Sequence, residues 1–183
     1  MRLGIDMDGV ICDFNAGWMA RHRDDFGSDL AAIDTEIKWD NLHTLCGFAD
    51  MEAFWRWAQG SEDRPSVFRH LEPFPGAVDT LRELAGAKHE IVIITAKPDW
   101  AVPDTLRWLA DHEVPTREIH FRHRKSTVAC DVYLDDSPLV LPELVSRRPA
   151  ATVCRMVRPW NTPLDGAVDV DGWPAFRALV GGL

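Results

Sequence analysis

Two aspartates, Asp6 and Asp8, stand close to the start of the chain, directly after the apolar run Leu3-Gly4-Ile5 and directly before Gly9. A strand that reaches them still extended points both carboxylates to one side and Met7 to the core. Carboxylates this close repel unless a cation or a proton sits between them. A second acidic pair, Asp135-Asp136, follows another apolar run, Val132-Tyr133-Leu134, and adds to the problem if the two pairs meet. The simplest remedy is a hard divalent cation with oxygen ligands, Mg2+ before others. Each pair also has a plainer reading. Asp6 could cap a following helix with Asp8 solvated, and Asp135-Asp136-Ser137-Pro138 could be a turn that opens a helix.

Two further polar spots stand in comparable places. Thr95 closes the run Ile91-Val92-Ile93-Ile94, where its hydroxyl and the N–H of Ala96 could hold a phosphoryl oxygen or simply end a strand. Lys125 lies in Arg122-His123-Arg124-Lys125, the most basic spot in the chain, and could equally belong to a solvated loop. Lys97, two residues after Thr95, is a competing cation. What carries weight is the conjunction of acid pair, Thr, Lys and acid pair, each just beyond an apolar strand or in its loop. In open α/β sheets ligands bind outside the carboxyl ends of the strands, so these residues are expected to meet at one edge.

The elements that would place them there are legible. Strands are expected at Leu3–Ile5, Ile91–Thr95, Ile119–Phe121, Val132–Leu134 and Thr152–Cys154. Helices are expected near 13–23, 50–59 (capped by Asp50 and stopped by Gly60), 77–85, 100–112, 142–145 and 173–180. The unalternating β-branched run at 91–94 suits a parallel strand covered on both faces. Strand and helix alternate from residue 73 onward, which predicts an α/β fold with a doubly wound, mainly parallel, Rossmann-like sheet. The stretch 15–72, mainly helical and carrying six basic against eleven acidic residues, fits an insertion after the first strand, although 28–48 gives mixed signals.

The 183 residues hold 20 Lys and Arg against 29 Asp and Glu, a net charge of −9 that speaks against a polymeric nucleic-acid partner. The four cysteines, Cys12, Cys46, Cys130 and Cys154, form no CxxC pair and read as small buried side chains. His120 and His123 read as loop residues. No signal-peptide core or bilayer-spanning run is seen, so the expectation is a cytoplasmic protein without a membrane partner. Eight tryptophans against one tyrosine are an unusual balance, and four of them, Trp18, Trp39, Trp55 and Trp57, lie in the insertion.

At Asp6-Met7-Asp8-Gly9-Val10, Thr95, Lys125 and Asp135-Asp136 the sequence resembles the haloacid dehalogenase superfamily of phosphatases. The longer string through Ile11-Cys12-Asp13-Phe14, with Lys125-Ser126-Thr127-Val128, looks like its 5′(3′)-deoxyribonucleotidase branch. Thr95-Ala96-Lys97 departs from the Thr-Ser usual in that branch. The resemblance implies a core of residues 1–14 and 73–183 and a small helical cap of residues 15–72. It implies a Mg2+-dependent phosphomonoesterase with Asp6 as nucleophile, Asp8 as general acid and base, and Thr95, Ala96 and Lys125 holding the phosphoryl group. Asp6, Asp8 through its carbonyl, and Asp136 would bind the metal, with Asp135 in support behind them. The substrate would be a small phosphorylated molecule, a nucleoside monophosphate and possibly a pyrimidine deoxyribonucleotide, with Phe14, Trp18 and Trp57 as candidate base contacts. Phe54 and Trp55 read instead as packing residues on a helical stripe, and Arg158-Pro159-Trp160-Asn161 as a turn or a brace at the site mouth. A sugar phosphate or other metabolite is the alternative substrate. A receiver-like phospho-Asp signalling module is the alternative from another class, though its order of acids, Thr and Lys differs.

Overall fold

The computed structural model describes residues 1–28, 30 and 40–183. Its centre is a six-stranded, wholly parallel sheet. The strands are β1 (Arg2–Ile5), β2 (Glu90–Thr95), β3 (Thr116–Phe121), β4 (Val132–Asp135), β5 (Thr152–Met156) and β6 (Ala167–Val170). Their order is β3-β2-β1-β4-β5-β6, so the chain winds outward from β1 in both directions and the sheet is doubly wound, as expected. In β2, Ile91 and Ile93 join one apolar cluster while Val92 and Ile94 join the other, which is why that run does not alternate with polar residues. Gly4 in β1 is needed for space: a Cβ there would lie 2.9–3.1 Å from side-chain atoms of Ile94, Cys130 and Tyr133.

The helices among the described residues are α1 (Phe14–Phe26), α2 (Leu42–Cys46), α3 (Met51–Gln59), α4 (Ala77–Gly86), α5 (Val102–Asp111), α6 (Val140–Arg147) and α7 (Trp173–Gly181). α1, α2 and α3 lie between β1 and β2 in sequence and form a mainly helical insertion. Asp13 caps α1 by accepting the Ala16 N–H at 2.9 Å, so Asp6 is left free of the capping role that was open to it. Asp50 caps α3 on Ala53 and Gly60 ends it, as its sequence predicts. Trp39 and the rest of 31–39, with residue 29, lie outside the described residues, while α2 occupies the end of the ambiguous stretch 28–48.

β6 was not expected. Its four residues, Ala167-Val168-Asp169-Val170, sit at the sheet edge with Val168 and Asp169 exposed, so the apolar signal of a covered strand is missing. His120 belongs to β3, as the strand expected at Ile119–Phe121 has it and against its reading as a loop residue, and its Nε2 meets Glu118 Oε1 at 2.6 Å.

Candidate active site

The register of the sheet brings the scattered polar residues to one place. Ile5 pairs with Ile93 on one side and Leu134 on the other, and the Asp6 N–H donates to the Leu134 carbonyl at 3.0 Å. Asp6 therefore leaves β1 level with Asp135 at the end of β4, while Thr95 ends β2 beside them. Beyond Asp6 the chain turns tightly: the N–H groups of Val10, Ile11 and Cys12 all donate to the Met7 carbonyl, and Gly9 takes φ +75°. Met7 is buried as expected, and Asp6 and Asp8 both face a cavity of about 660 Å3.

Asp6, Asp8, Thr95, Lys125, Asp135 and Asp136 are all buried. Lys125 Nζ lies 2.7 Å from Asp6 Oδ2 and 2.6 Å from Asp135 Oδ2, so it is an interior cation between the two acidic pairs and no solvated loop residue. Lys97 takes a different partner. Its Nζ stands 2.7 and 2.6 Å from the two oxygens of Asp8 and 3.7 Å from the centroid of the Phe68 ring. Burial pushes the Asp6 carboxyl up to about 7 against the pull of Lys125, with Asp135 adding to the rise. Asp136 is pushed well above the usual carboxylate range by burial, then by Asp6 and Asp135. The Lys125 ammonium is disfavoured by burial, but Asp135 and Asp6 outweigh this and raise it.

This charge pattern is what a cation site needs. Asp6, Asp135 and Asp136 can each offer an oxygen within 4.8 Å of the others, all three are buried, and Lys125 bridges Asp6 and Asp135. Oxygen donors in that number and spacing fit a hard divalent ion. Within the pair, Asp135 is already engaged at both oxygens, by Lys125 and by the Ser137 N–H at 2.9 Å. Asp136 Oδ2 accepts the Trp160 indole N–H at 2.7 Å.

The cavity also has an aromatic wall. Trp55 of α3, Phe68 of the short 3-10 turn Val67–His70, and Trp100 line the cavity with Pro98, Leu139 and Val140. The three expected base contacts lie elsewhere. Phe14 sits behind the wall, stacked on Phe68 at 5.3 Å and near Trp55 at 6.1 Å. Trp18 is fully buried and donates to Asn15. Trp57 donates to Asp25 and packs on Phe48 and His22, away from the cavity. Trp55, read from the helical stripe as packing, takes the wall position instead, because α3 turns that side of its stripe to the cavity. Trp100 and Phe68 carried no signal of their own; Trp100 follows the end of β2 at Thr95 on the same connection as Lys97, and that connection was the available clue.

Residues 1–181 match the family model described as 5′ nucleotidase, deoxy (pyrimidine), cytosolic type C protein. The chain belongs to this family. It is thus a nucleotidase-family member of the haloacid dehalogenase superfamily and a hydrolase of the phosphoric monoester class. Among curated relatives, the mitochondrial 5′(3′)-deoxyribonucleotidase of Mus musculus is 28% identical over 151 residues, covering 75% of this chain and 65% of that protein. The cytosolic-type 5′(3′)-deoxyribonucleotidase of Homo sapiens is 28% identical over 153 residues, covering 76% and 72%. A solved dehalogenase, described with an intermediate complex, shares the fold with a TM-score of 0.66 at 17% identity, over 97% of this chain and 96% of that one. A nucleotidase-family hydrolase leaves no place for the receiver-like alternative. No helix among the described residues is long and apolar enough to cross a membrane.

Proposed function

We propose that this family member hydrolyses a nucleoside monophosphate, with a pyrimidine deoxyribonucleotide as the first candidate, at the carboxyl edge of the sheet. The observation that carries the reading is the make-up of one cavity, lined by Asp6, Asp8, Thr95, Lys125 and Asp136 together with Trp55, Phe68 and Trp100. A phosphoryl group suits the polar set, and a planar base, which offers a π-face, suits the rings. The names of the curated relatives support the same substrate class. A cytoplasmic site of action belongs to the reading.

In this reading Asp6 attacks phosphorus and the ester P–O bond breaks, leaving the phosphoryl group on the Asp6 carboxylate. Asp8 gives its proton to the departing alkoxide, then takes one from the water that hydrolyses the acyl phosphate and restores Asp6. Lys97 now occupies both oxygens of Asp8, so it must yield one of them as substrate enters. Thr95, the Ala96 N–H and Lys125 orient and neutralise the phosphoryl oxygens. Asp6, the Asp8 carbonyl and Asp136, with Asp135 behind them, would hold Mg2+, which when bound would supply positive charge to the phosphoryl group. Residues 15–72 act as the cap, bringing Trp55 and Phe68 over a core of residues 1–14 and 73–183.

Phosphate release from a panel of nucleoside monophosphates and sugar phosphates tests this. Nucleotides are expected to lead, and EDTA and Asp6→Asn are expected to abolish turnover. A wide preference for sugar phosphates would replace the substrate class, and near-normal turnover by Asp6→Asn would remove the mechanism.

A further inference from the structure

The mechanism as read leaves out the loop after β5, Arg158-Pro159-Trp160-Asn161, yet this loop reaches the acid cluster. Trp160 Nε1 donates to Asp136 Oδ2 at 2.7 Å. A side chain on Gly9 would collide with that same oxygen and would stand 3.1 Å from the Trp160 ring. The oxygen is therefore held by the indole on one side and walled by the first acidic loop on another. Asn161 fixes the backbone of the same residue, its Nδ2 donating to the Asp136 carbonyl at 2.7 Å and to the Met156 carbonyl at 2.9 Å.

The loop is braced in turn. Arg155 Nη1 donates to Asn161 Oδ1 at 2.5 Å, while its Nε and Nη2 reach the two oxygens of Asp169 on β6 at 2.7 and 2.5 Å. Arg158 Nε donates to the Gly9 carbonyl at 2.6 Å, with its guanidinium 4.0 Å from the Phe74 ring centroid. A continuous set of polar contacts thus runs from the edge strand through Arg155 and Asn161 to Asp136, and from Arg158 to the loop that carries Asp6 and Asp8.

We propose that Trp160 is a positioning residue for the divalent cation: by holding Asp136 Oδ2 against the Gly9 loop, it presents the other carboxylate oxygen to the metal in a fixed direction. The inference rests on the reading of Asp136 as a metal ligand. A donor that fixes one oxygen of a ligating carboxylate removes the rotation the ion would otherwise have to freeze, and such outer partners typically change metal affinity about 10- to 100-fold. An indole suits the task because it offers a single N–H on a rigid ring and cannot itself ligate the ion. A simple structural turn has no need to place that N–H on a carboxylate already crowded by two others.

The test uses the full chain and Mn2+ alone as probe, with bound ion counted by electron paramagnetic resonance, so no turnover is required. Trp160→Phe is expected to keep the fold, seen by circular dichroism, and to weaken Mn2+ binding about tenfold or more. Asp136→Asn is the reference and is expected to lose the ion. If Asp136→Asn binds as wild type, the ligand assignment fails and the inference with it. If Asp136→Asn loses the ion while Trp160→Phe binds normally, the inference alone is overturned. A second measurement stands even if Trp160→Phe does not fold. In wild-type protein labelled with 15N-tryptophan, the assigned Trp160 indole resonance is expected to shift as Mg2+ is titrated, with one midpoint for binding and shift. An indole resonance that stays still through saturation overturns the proposal.

Discussion

Lys97 and Asp8 show how a single residue's environment sets what can be asked of it. Lys97 is buried and spends its ammonium on both oxygens of Asp8. Removing one member of a buried pair leaves the other charged and unpaired, which typically costs about 3–5 kcal/mol. Lys97→Met is therefore expected to lower unfolding free energy by about that amount in urea titrations, with part recovered when Asp8→Asn is added. Asp8→Asn alone is expected to lower kcat by about 10²- to 10⁴-fold, the range for loss of a general acid and base, with far less change in the binding of inorganic phosphate. At this scale the sequence was informative about kind and not about partner. Asp6, Asp8, Lys125 and Asp136 do converge, as their places beyond apolar strands imply. Which lysine faces which carboxylate depends on loop paths that spacing does not encode, so Lys97, a rival for the phosphate in the sequence, lies on Asp8. The Trp160 contact was equally hidden, because Asp136 and Trp160 are 24 residues apart and join through the brace of an edge strand.

At the scale of elements, α3 carries two tryptophans with opposite duties. Periodicity assigns Met51, Phe54, Trp55 and Ala58 to one stripe, and Phe54 and Ala58 are indeed fully buried. Periodicity cannot tell a stripe that meets only core from one whose margin borders a cavity. Trp55 is at that margin, with Phe68 stacked 6.5 Å away and Trp100 at 6.2 Å. Trp57, off the stripe, is instead tied into the insertion by Asp25, Phe48 and His22. Alanine at the two positions separates the roles. Trp55→Ala is expected to raise the nucleotide KM by about tenfold or more, since stacking on an aromatic ring is worth about 1–3 kcal/mol per base, on top of an unfolding cost from its ring contacts with Phe14, Phe54, Phe68 and Trp100. Trp57→Ala is expected to leave KM near wild type and to cost about 3 kcal/mol in urea unfolding, as loss of a well-packed Trp does. Most strands were legible because covered parallel strands are continuous apolar runs. β6 escaped that logic, and its pairing with β5 rests on backbone hydrogen bonds and on Arg155 holding Asp169.

For the whole molecule, the net charge of −9 and an anionic substrate are reconciled by where the charge sits. Asp6, Asp135 and Asp136 are buried together, so the ion they fit reverses the local sign that the overall composition sets. That arrangement ties stability to pH in a definite direction. Without metal, the folded Asp6 carboxyl is held up at about 7 by burial, above its ordinary 3.8. Between those values the folded state keeps a proton that the unfolded state has released. Its stabilising effect is fully present below the ordinary carboxylate range and is lost as pH rises through about 7. A divalent ion acts in the opposite sense, because it needs the carboxylates ionised and must displace that proton at lower pH. Metal-free protein is therefore expected to lose Tm between pH 5 and pH 8 through this site. Saturating Mg2+ is expected to raise Tm only slightly at pH 5.5 and clearly at pH 8, where an ion at 100 times its Kd adds about 2.7 kcal/mol. Thermal unfolding at the two pH values, with EDTA and with Mg2+, measures this directly. Equal Mg2+ stabilisation at both would place the ion away from Asp6 and Asp136. In Asp136→Asn the extra stabilisation at pH 8 is expected to disappear while the fold persists, since the acid cluster then loses a ligand and one of its repelling charges together.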